Sequence, residues 1–158
     1  MLNQLTLRKR SELLDSCILN APESTILITT NCEGAAGRGV ALAMRERYKK
    51  IYQGYKHLCK TGRYTPNSLL TAQTGNGNQL LLFPTKIKWS EPSPPQLIID
   101  NLDKLAEIYR ELNIESLAIP PMGMANGWLK GEDKERVWSH MLYTFHRMDI
   151  PCTIYVDE

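Results

Sequence analysis

Apolar positions along the chain follow two different spacings. In some stretches they alternate with polar positions or run together over strand length, and in others they recur every three or four residues, as on one face of a helix. The first pattern predicts strands over residues 2–7, 25–30, 68–72, 79–83, 116–120 and 152–156. The second predicts helices over residues 11–18, 40–58, 97–112 and 132–146. Because strands and helices alternate, we expect an α/β fold with a mixed, largely parallel six-stranded sheet packed between helices.

Two stretches predict details of this sheet. Residues 25–30, Thr-Ile-Leu-Ile-Thr-Thr, are β-branched or apolar on both faces, which is typical of a central strand covered by helices. Residues 74–78, Thr-Gly-Asn-Gly-Asn, are a turn sequence that would join strands 68–72 and 79–83 as an antiparallel pair. We therefore place the first stretch inside the sheet and the second at a hairpin.

Length and composition indicate one domain. The 158 residues, 42% of them hydrophobic, suffice for one well-buried core and are too few for two ordinary domains, so we take residues 1–158 as a single domain. A net charge of +2 neither requires nor excludes a nucleic-acid partner. The four cysteines are far apart, and the sequence shows no signal peptide and no apolar run of membrane-spanning length. We expect a monomeric, cytoplasmic protein with reduced thiols that does not contact a membrane.

A glycine-rich loop follows the predicted central strand. Its sequence over residues 31–39 is Asn-Cys-Glu-Gly-Ala-Ala-Gly-Arg-Gly. Small residues let backbone N–H groups approach a ligand closely, and the dipole of the following helix favours anions, so the loop is suited to a diphosphate. Taken alone, such a loop more often only ends a strand and begins a helix. It lacks the Lys-Ser or Lys-Thr of a Walker P-loop, and its GxxGxG spacing differs from the GxGxxG of a Rossmann fold.

Other candidate side chains lie in loops after the predicted strands. Lys86 follows strand 79–83, where it could balance phosphate charge or, if desolvated, attack an electrophilic carbon. Trp89 and Trp128 could stack on a base or close over a ribose, and Glu33 in the glycine-rich loop is a candidate acid or base. The alternatives are a solvated lysine, tryptophans that cap the core and an outward-pointing carboxylate. The three histidines lack metal-ligand spacing, so we expect no metal site.

Three segments taken together resemble the macrodomain family, whose members bind ADP-ribose. Residues 31–42 are similar to the family's first ligand loop and the helix after it, and residues 119–127, Ile-Pro-Pro-Met-Gly-Met-Ala-Asn-Gly, are similar to its second, phosphate-clasping loop. The sequence Phe-Pro-Thr-Lys with Trp89 is similar to a motif of one branch, the antitoxin macrodomains that remove ADP-ribose from DNA. The order and spacing of these segments extend over residues 25–156.

The resemblance implies a three-layer α/β/α fold with ADP-ribose in a cleft at the strand ends. Asn31 would contact the distal ribose, and Lys86 would attack or electrostatically activate the anomeric carbon of that ribose. Glu12 would replace the aspartate that holds the adenine amino group in many relatives. The other implied ligand contacts are Gly34, Ala35, Gly37, Gly39, Val40, Pro121, Gly123, Met124, Ala125, Asn126, Gly127 and Trp128.

The sequence therefore predicts an ADP-ribosyl glycohydrolase that needs no cofactor. Lys86 and Glu33 are its catalytic candidates, and ADP-ribosylated DNA or protein is its substrate. Two alternatives remain: the same cleft could hydrolyse ADP-ribose 1″-phosphate, or it could bind ADP-ribose without turnover. The chain departs from the family where Met124 and Ala125 follow Gly123 in place of Cys-Gly, and where Lys130 stands in a stretch that often carries an acidic residue. The lysine weighs against an aspartate-assisted mechanism.

Overall fold

The computed structural model describes residues 4–123 and 128–157. The strands are β1 (Leu5–Lys9), β2 (Thr25–Thr30), β3 (Leu70–Gln73), β4 (Gln79–Pro84), β5 (Leu117–Ile119) and β6 (Cys152–Val156). The α-helices are α1 (Gly39–Arg47), α2 (Lys49–Lys60), α3 (Pro95–Ile108) and α4 (Gly131–Arg147). Within these described residues, no helix is both long and apolar enough to cross a bilayer.

The six strands form one sheet in the order β1-β6-β5-β2-β4-β3. All neighbouring strands are parallel except β3 and β4, which pair antiparallel across the predicted turn. Strand β2 lies inside the sheet, with β5 on one side and β4 on the other. The mixed, largely parallel sheet, the central strand and the hairpin are thus confirmed.

Two hydrophobic cores lie on opposite faces of the sheet, and β2 contributes to both. Leu27 packs in the core that includes Phe145 of α4 together with residues of α3. Ile26 and Ile28 pack in the other core, with Tyr55 of α2 and residues of α1. Successive side chains of a strand point to opposite faces, so a strand that is apolar throughout can serve both layers. This arrangement confirms the three-layer α/β/α architecture.

The predicted helix over residues 40–58 is wrong in one respect, because it is two helices. Tyr48, between α1 and α2, has φ −122° and ψ 68°, outside the helical region. The amide N–H of Tyr48 still donates to Met44 and its carbonyl still accepts from Tyr52. Hydrogen bonds and apolar spacing therefore continue across the break, which explains why periodicity alone predicted one helix.

Other predicted boundaries also differ from the structure. Residues 10–20 form three short 3₁₀ turns in place of a helix over 11–18, because Asp15 and Ser16 have φ of 57° and 49°, which a helix does not tolerate. Helix α3 ends at Ile108, five residues before Asn113, which itself has φ 58°. The first strand covers Leu5–Lys9 in place of 2–7.

Candidate functional site

A cleft of about 1160 Å³ opens along the edge of the sheet where the parallel strands have their carboxyl ends. This is where ligands bind in open α/β sheets. Its walls come from the segments that follow β2, β4, β5 and β6. Nine of the predicted site residues line it: Asn31, Ala35, Gly37, Gly39, Val40, Lys86, Pro121, Gly123 and Trp128.

Asn31 organises the loop that follows β2. Its side-chain oxygen accepts hydrogen bonds from the backbone N–H groups of Glu33 and Ala35, at 2.9 and 3.2 Å, and from the Tyr55 hydroxyl at 3.2 Å. Its amide nitrogen donates to the Ala35 carbonyl at 2.9 Å. The side chain is buried, and it joins both ends of a tight turn. Asn31 therefore holds the loop in shape as well as lining the cleft.

The Asn31→Ala variant is expected to lower the free energy of unfolding by about 1–3 kcal/mol, because two backbone N–H groups lose their acceptor in a partly buried turn. Chemical denaturation measures this change. Asn31→Asp is the matched control, since it keeps the acceptor oxygen but replaces the donor to Ala35 with a second oxygen and adds a negative charge; we expect a smaller loss at acidic pH, where the protonated carboxyl group can donate to the Ala35 carbonyl. Equal stability of the alanine variant and the wild type would show that the loop does not depend on this side chain.

Gly34 has a packing role in the same loop. Its φ is +80°, and a Cβ added there would lie 3.2 Å from Cγ and 3.3 Å from Cα of Lys56 in α2. The Gly34 carbonyl accepts a hydrogen bond from the Tyr52 hydroxyl at 3.0 Å. Gly34 is not among the residues that line the cleft. The structure thus gives Gly34 a role in seating the loop on α2, and its ligand contact stays a prediction.

Lys86 lies just past β4, with its side chain turned into the cleft. The residue is 8% exposed, and its amine donates a hydrogen bond to the Trp89 carbonyl at 3.2 Å. The same nitrogen lies 3.7 Å from the centre of the Trp128 ring. Burial, and to a lesser degree the charge of Arg38, lower the pKa of Lys86. A larger fraction of this amine is therefore neutral, and able to act as a nucleophile, than at a solvated lysine.

Hydrogen bonds tie the segment around Lys86 to the end of β2 and to the glycine-rich loop. The backbone N–H of Lys86 donates to the Thr30 carbonyl at 3.3 Å, and that of Cys32 donates to the Ile87 carbonyl at 3.0 Å. The Glu33 carboxylate accepts a hydrogen bond from the Trp89 N–H at 2.8 Å. Glu33 is exposed and does not belong to the cleft lining. The structure thus gives it a bridging contact, and its acid or base role stays a prediction.

Glu12 lies away from the cleft lining. Its carboxylate accepts a hydrogen bond from the Lys9 N–H at 2.9 Å and pairs with the Arg8 guanidinium at 3.5 Å. The nearby cleft residues are Arg10 and Asp157, whose side chains form an ion pair at 3.1 Å. The predicted adenine contact of Glu12 therefore has no support in the geometry.

Sequence reasoning missed several charged residues of the cleft. Four basic side chains in the lining give it the charge that suits an anionic ligand. They are Arg10, Arg38, Arg45 and Lys134. Arg38 lies within the glycine motif and could have been proposed from its position before α1. The others come from segments whose approach to the cleft depends on the packing of distant parts of the chain.

Gly123 shapes the wall that follows β5. Its φ is +73°, and a Cβ there would lie 2.6 Å from Cδ1 of Leu129 and 3.0 Å from Cδ1 of Ile98. The Gly123 carbonyl accepts a hydrogen bond from the Leu129 N–H at 2.9 Å. The predicted contacts Met124, Ala125, Asn126 and Gly127 lie outside the described residues.

Cys32 belongs to the glycine-rich loop but not to the cleft lining, whose described cysteine is Cys17. Burial raises the pKa of Cys32 to about 11, so its thiol is protonated at neutral pH and unreactive. Over residues 4–123 and 128–157, no group of three or more histidine, cysteine, aspartate or glutamate side chains is placed to hold a metal ion. The burial and lowered pKa of the Lys86 amine make it a nucleophilic candidate in the described cleft.

Comparison with solved structures identifies the fold. The macrodomain of DarG from Mycobacterium tuberculosis is 32% identical to this chain, covers 97% of each chain and superposes with a TM-score of 0.83. The chain belongs to the macrodomain family. The macrodomain of DarG from Thermus aquaticus is also similar, at 25% identity over 98% of this chain and 97% of its own length, with a TM-score of 0.80. No family model matches the chain.

This macrodomain also resembles longer curated proteins. One from Mycobacterium tuberculosis, named DNA ADP-ribosyl glycohydrolase, is 34% identical over 142 residues, which is 87% of this macrodomain and 40% of the relative. The macrodomain thus spans about two fifths of the length of that relative.

Proposed function

We propose that this macrodomain binds ADP-ribose in its cleft and hydrolyses the bond between the distal ribose and a DNA base. The observation that carries the proposal is the buried amine of Lys86, held at the cleft beside the glycine-rich loop with its pKa lowered by burial. A cleft of about 1160 Å³ is large enough for a dinucleotide-sized ligand.

The wall formed by the glycine-rich loop and α1 favours a diphosphate. Helix α1 begins at Gly39, and the first N–H groups of a helix have no partner within the helix. The side chain of Arg38, the residue before the helix, also lines the cleft. Unpaired N–H groups and a guanidinium on one wall both attract phosphate oxygens. This wall would hold the phosphates while the ribose extends toward Lys86.

The proposed reaction begins with attack by the neutral amine of Lys86 on the anomeric carbon of the distal ribose. A new carbon–nitrogen bond forms, the bond from that carbon to the base nitrogen breaks, and the base takes up the proton that the amine loses. Water then adds to the same carbon and displaces the amine, which restores Lys86 and releases ADP-ribose. Neither step consumes a redox equivalent.

DNA is the proposed macromolecule because of the names of the relatives. The M. tuberculosis protein that is 34% identical is named a DNA ADP-ribosyl glycohydrolase. The sequence Phe83-Pro84-Thr85-Lys86, which prompted the same expectation, forms the end of β4 and the start of the loop that carries the amine.

A substrate panel tests the proposal. The protein is incubated with an ADP-ribosylated single-stranded DNA oligonucleotide, an ADP-ribosylated protein and ADP-ribose 1″-phosphate, and release of ADP-ribose or phosphate is followed by chromatography. We expect ADP-ribose release from the oligonucleotide. If only the ADP-ribosylated protein or only ADP-ribose 1″-phosphate were consumed, that compound would replace ADP-ribosylated DNA as the substrate. If calorimetry detected binding of ADP-ribose and no substrate were consumed, the macrodomain would be a binding module without hydrolase activity.

A further inference from the structure

Two tryptophans contact the amine of Lys86 through different groups. Trp89 contributes its backbone carbonyl, which accepts a hydrogen bond from the amine at 3.2 Å. Trp128 contributes its ring, whose centre lies 3.7 Å from the same nitrogen. Cations within about 6 Å of an indole face are attracted by the ring electrons. A substitution at residue 128 therefore removes its contact with Lys86, whereas a substitution at residue 89 leaves the carbonyl in place.

The position of Trp128 is not explained by core packing. Its ring is 40% exposed, so it does not fill the hydrophobic interior. Its backbone has φ 59°, a conformation that residues other than glycine rarely adopt. Backbone strain of this kind persists where the surroundings or the function demand it. The exposed ring of Trp128, on this strained backbone, lies over the Lys86 amine.

The groups around Lys86 favour different protonation states of its amine. Burial and the guanidinium of Arg38, from the segment before α1, favour the neutral form. The Trp128 ring and the Trp89 carbonyl favour the ammonium form. Glu33 from the loop after β2 contacts the same segment through the Trp89 N–H, and Lys134 and Glu135 of α4 line the same cleft. Of these groups, the Trp128 ring is the one that a side-chain substitution removes without changing a charged residue.

We infer that Trp128 is a positioning residue for Lys86: its indole face holds the ε-ammonium group at the mouth of the cleft and so sets the pH at which the amine becomes free to attack. The catalytic part of this inference rests on the proposed function. The contact itself does not, because it is given by the positions of the two side chains.

The contact is tested by nuclear magnetic resonance on protein containing ¹³C-labelled lysine. The ε-CH₂ protons of Lys86 should be shifted upfield by the Trp128 ring, and the Lys86→Arg variant assigns their signal by removing it. We expect Trp128→Leu to abolish this shift and Trp128→Phe to keep part of it. Trp89→Ala is the matched control and should keep the shift, because its contact with Lys86 is made by the backbone.

Titration of the same signal measures the charge balance. Trp128→Leu keeps apolar bulk over the amine but removes the ring, so the ammonium form loses a stabilising contact. The pKa of Lys86 should fall by about one pH unit, with Trp128→Phe intermediate. If the protein turns over its substrate, the acid limb of the rate profile should move to lower pH by the same amount, whereas a merely structural residue would change the rate at every pH alike.

The outcomes separate this inference from the proposed function. An unchanged ε-CH₂ shift and an unchanged pKa of Lys86 in folded Trp128→Leu would overturn the inference, whatever the activity. If the ε-CH₂ shift and the pKa of Lys86 were unchanged in Trp128→Phe but changed in Trp128→Leu, the inference would still be supported, because phenylalanine keeps a π face. Absence of turnover on every substrate, with the ring shift present, would defeat the proposed function and leave the contact established.

Discussion

Lys86→Ala is expected to reduce the rate of ADP-ribose release by at least about a hundredfold, because the variant lacks the amine that the proposed reaction uses as its nucleophile. Binding of ADP-ribose should remain, since the glycine-rich loop and α1 are unchanged. Single-turnover assays on the preferred substrate measure the rate, and calorimetry measures the affinity.

Lys88→Ala is the matched control for this experiment. Lys88 lies two residues further along the same loop, is exposed, and is not among the residues that line the cleft. Its removal takes away the same charge without touching the proposed chemistry, so the rate should stay near that of the wild type. If both variants lost activity equally, a general effect of loop charge on substrate binding would replace the assignment of Lys86 as nucleophile.

Gly123→Ala is expected to lower the free energy of unfolding by about 2–4 kcal/mol. Part of this cost is the positive φ of residue 123, and part is the overlap of a Cβ with Leu129 and Ile98 at 2.6 and 3.0 Å. Leu129 and Ile98 are both buried, so neither has open space into which it can turn. Urea denaturation followed by circular dichroism measures the loss.

Gly37→Ala is the corresponding control on the opposite wall. A Cβ at residue 37 would meet no atom within 4 Å among the described residues, and the φ of Gly37 is not positive. Stability should therefore change by less than about 0.5 kcal/mol. Similar losses in both variants would mean that the crowding at Gly123 is relieved by small movements of its neighbours. The affinity for ADP-ribose is a separate measurement, because Gly37 lines the cleft.

The parts of the fold that the sequence predicts well are those with a local signature. Residues 25–30 predict a buried strand because every position is apolar or β-branched. In the structure Ile26, Leu27 and Ile28 are completely buried. The helix break at Tyr48 has no such signature, since the apolar spacing and the hydrogen bonds pass through it. Local pattern therefore predicts which elements exist better than where they bend.

The same distinction applies to the candidate site: residues in short motifs can be predicted from the sequence, whereas residues brought together by the fold cannot. Asn31, Lys86 and the glycines were found because they stand in recognisable short motifs, although only the structure shows that Asn31 and Gly34 shape the loop. Arg10 and Asp157 come together from opposite ends of the chain because β1 and β6 are neighbours in the sheet. No spacing in the sequence reveals that meeting, since it follows from strand order.

The hydrogen bonds between the segment that carries Lys86 and the loop after β2 have a consequence for how the cleft accommodates ligands. They prolong the pairing of β2 with β4 beyond the strands, through Thr30, Cys32 and Glu33. Lys86 and the glycine-rich loop are thereby held in one fixed arrangement by these hydrogen bonds. Little conformational entropy is lost there when a ligand binds, so most of the binding energy remains available for affinity.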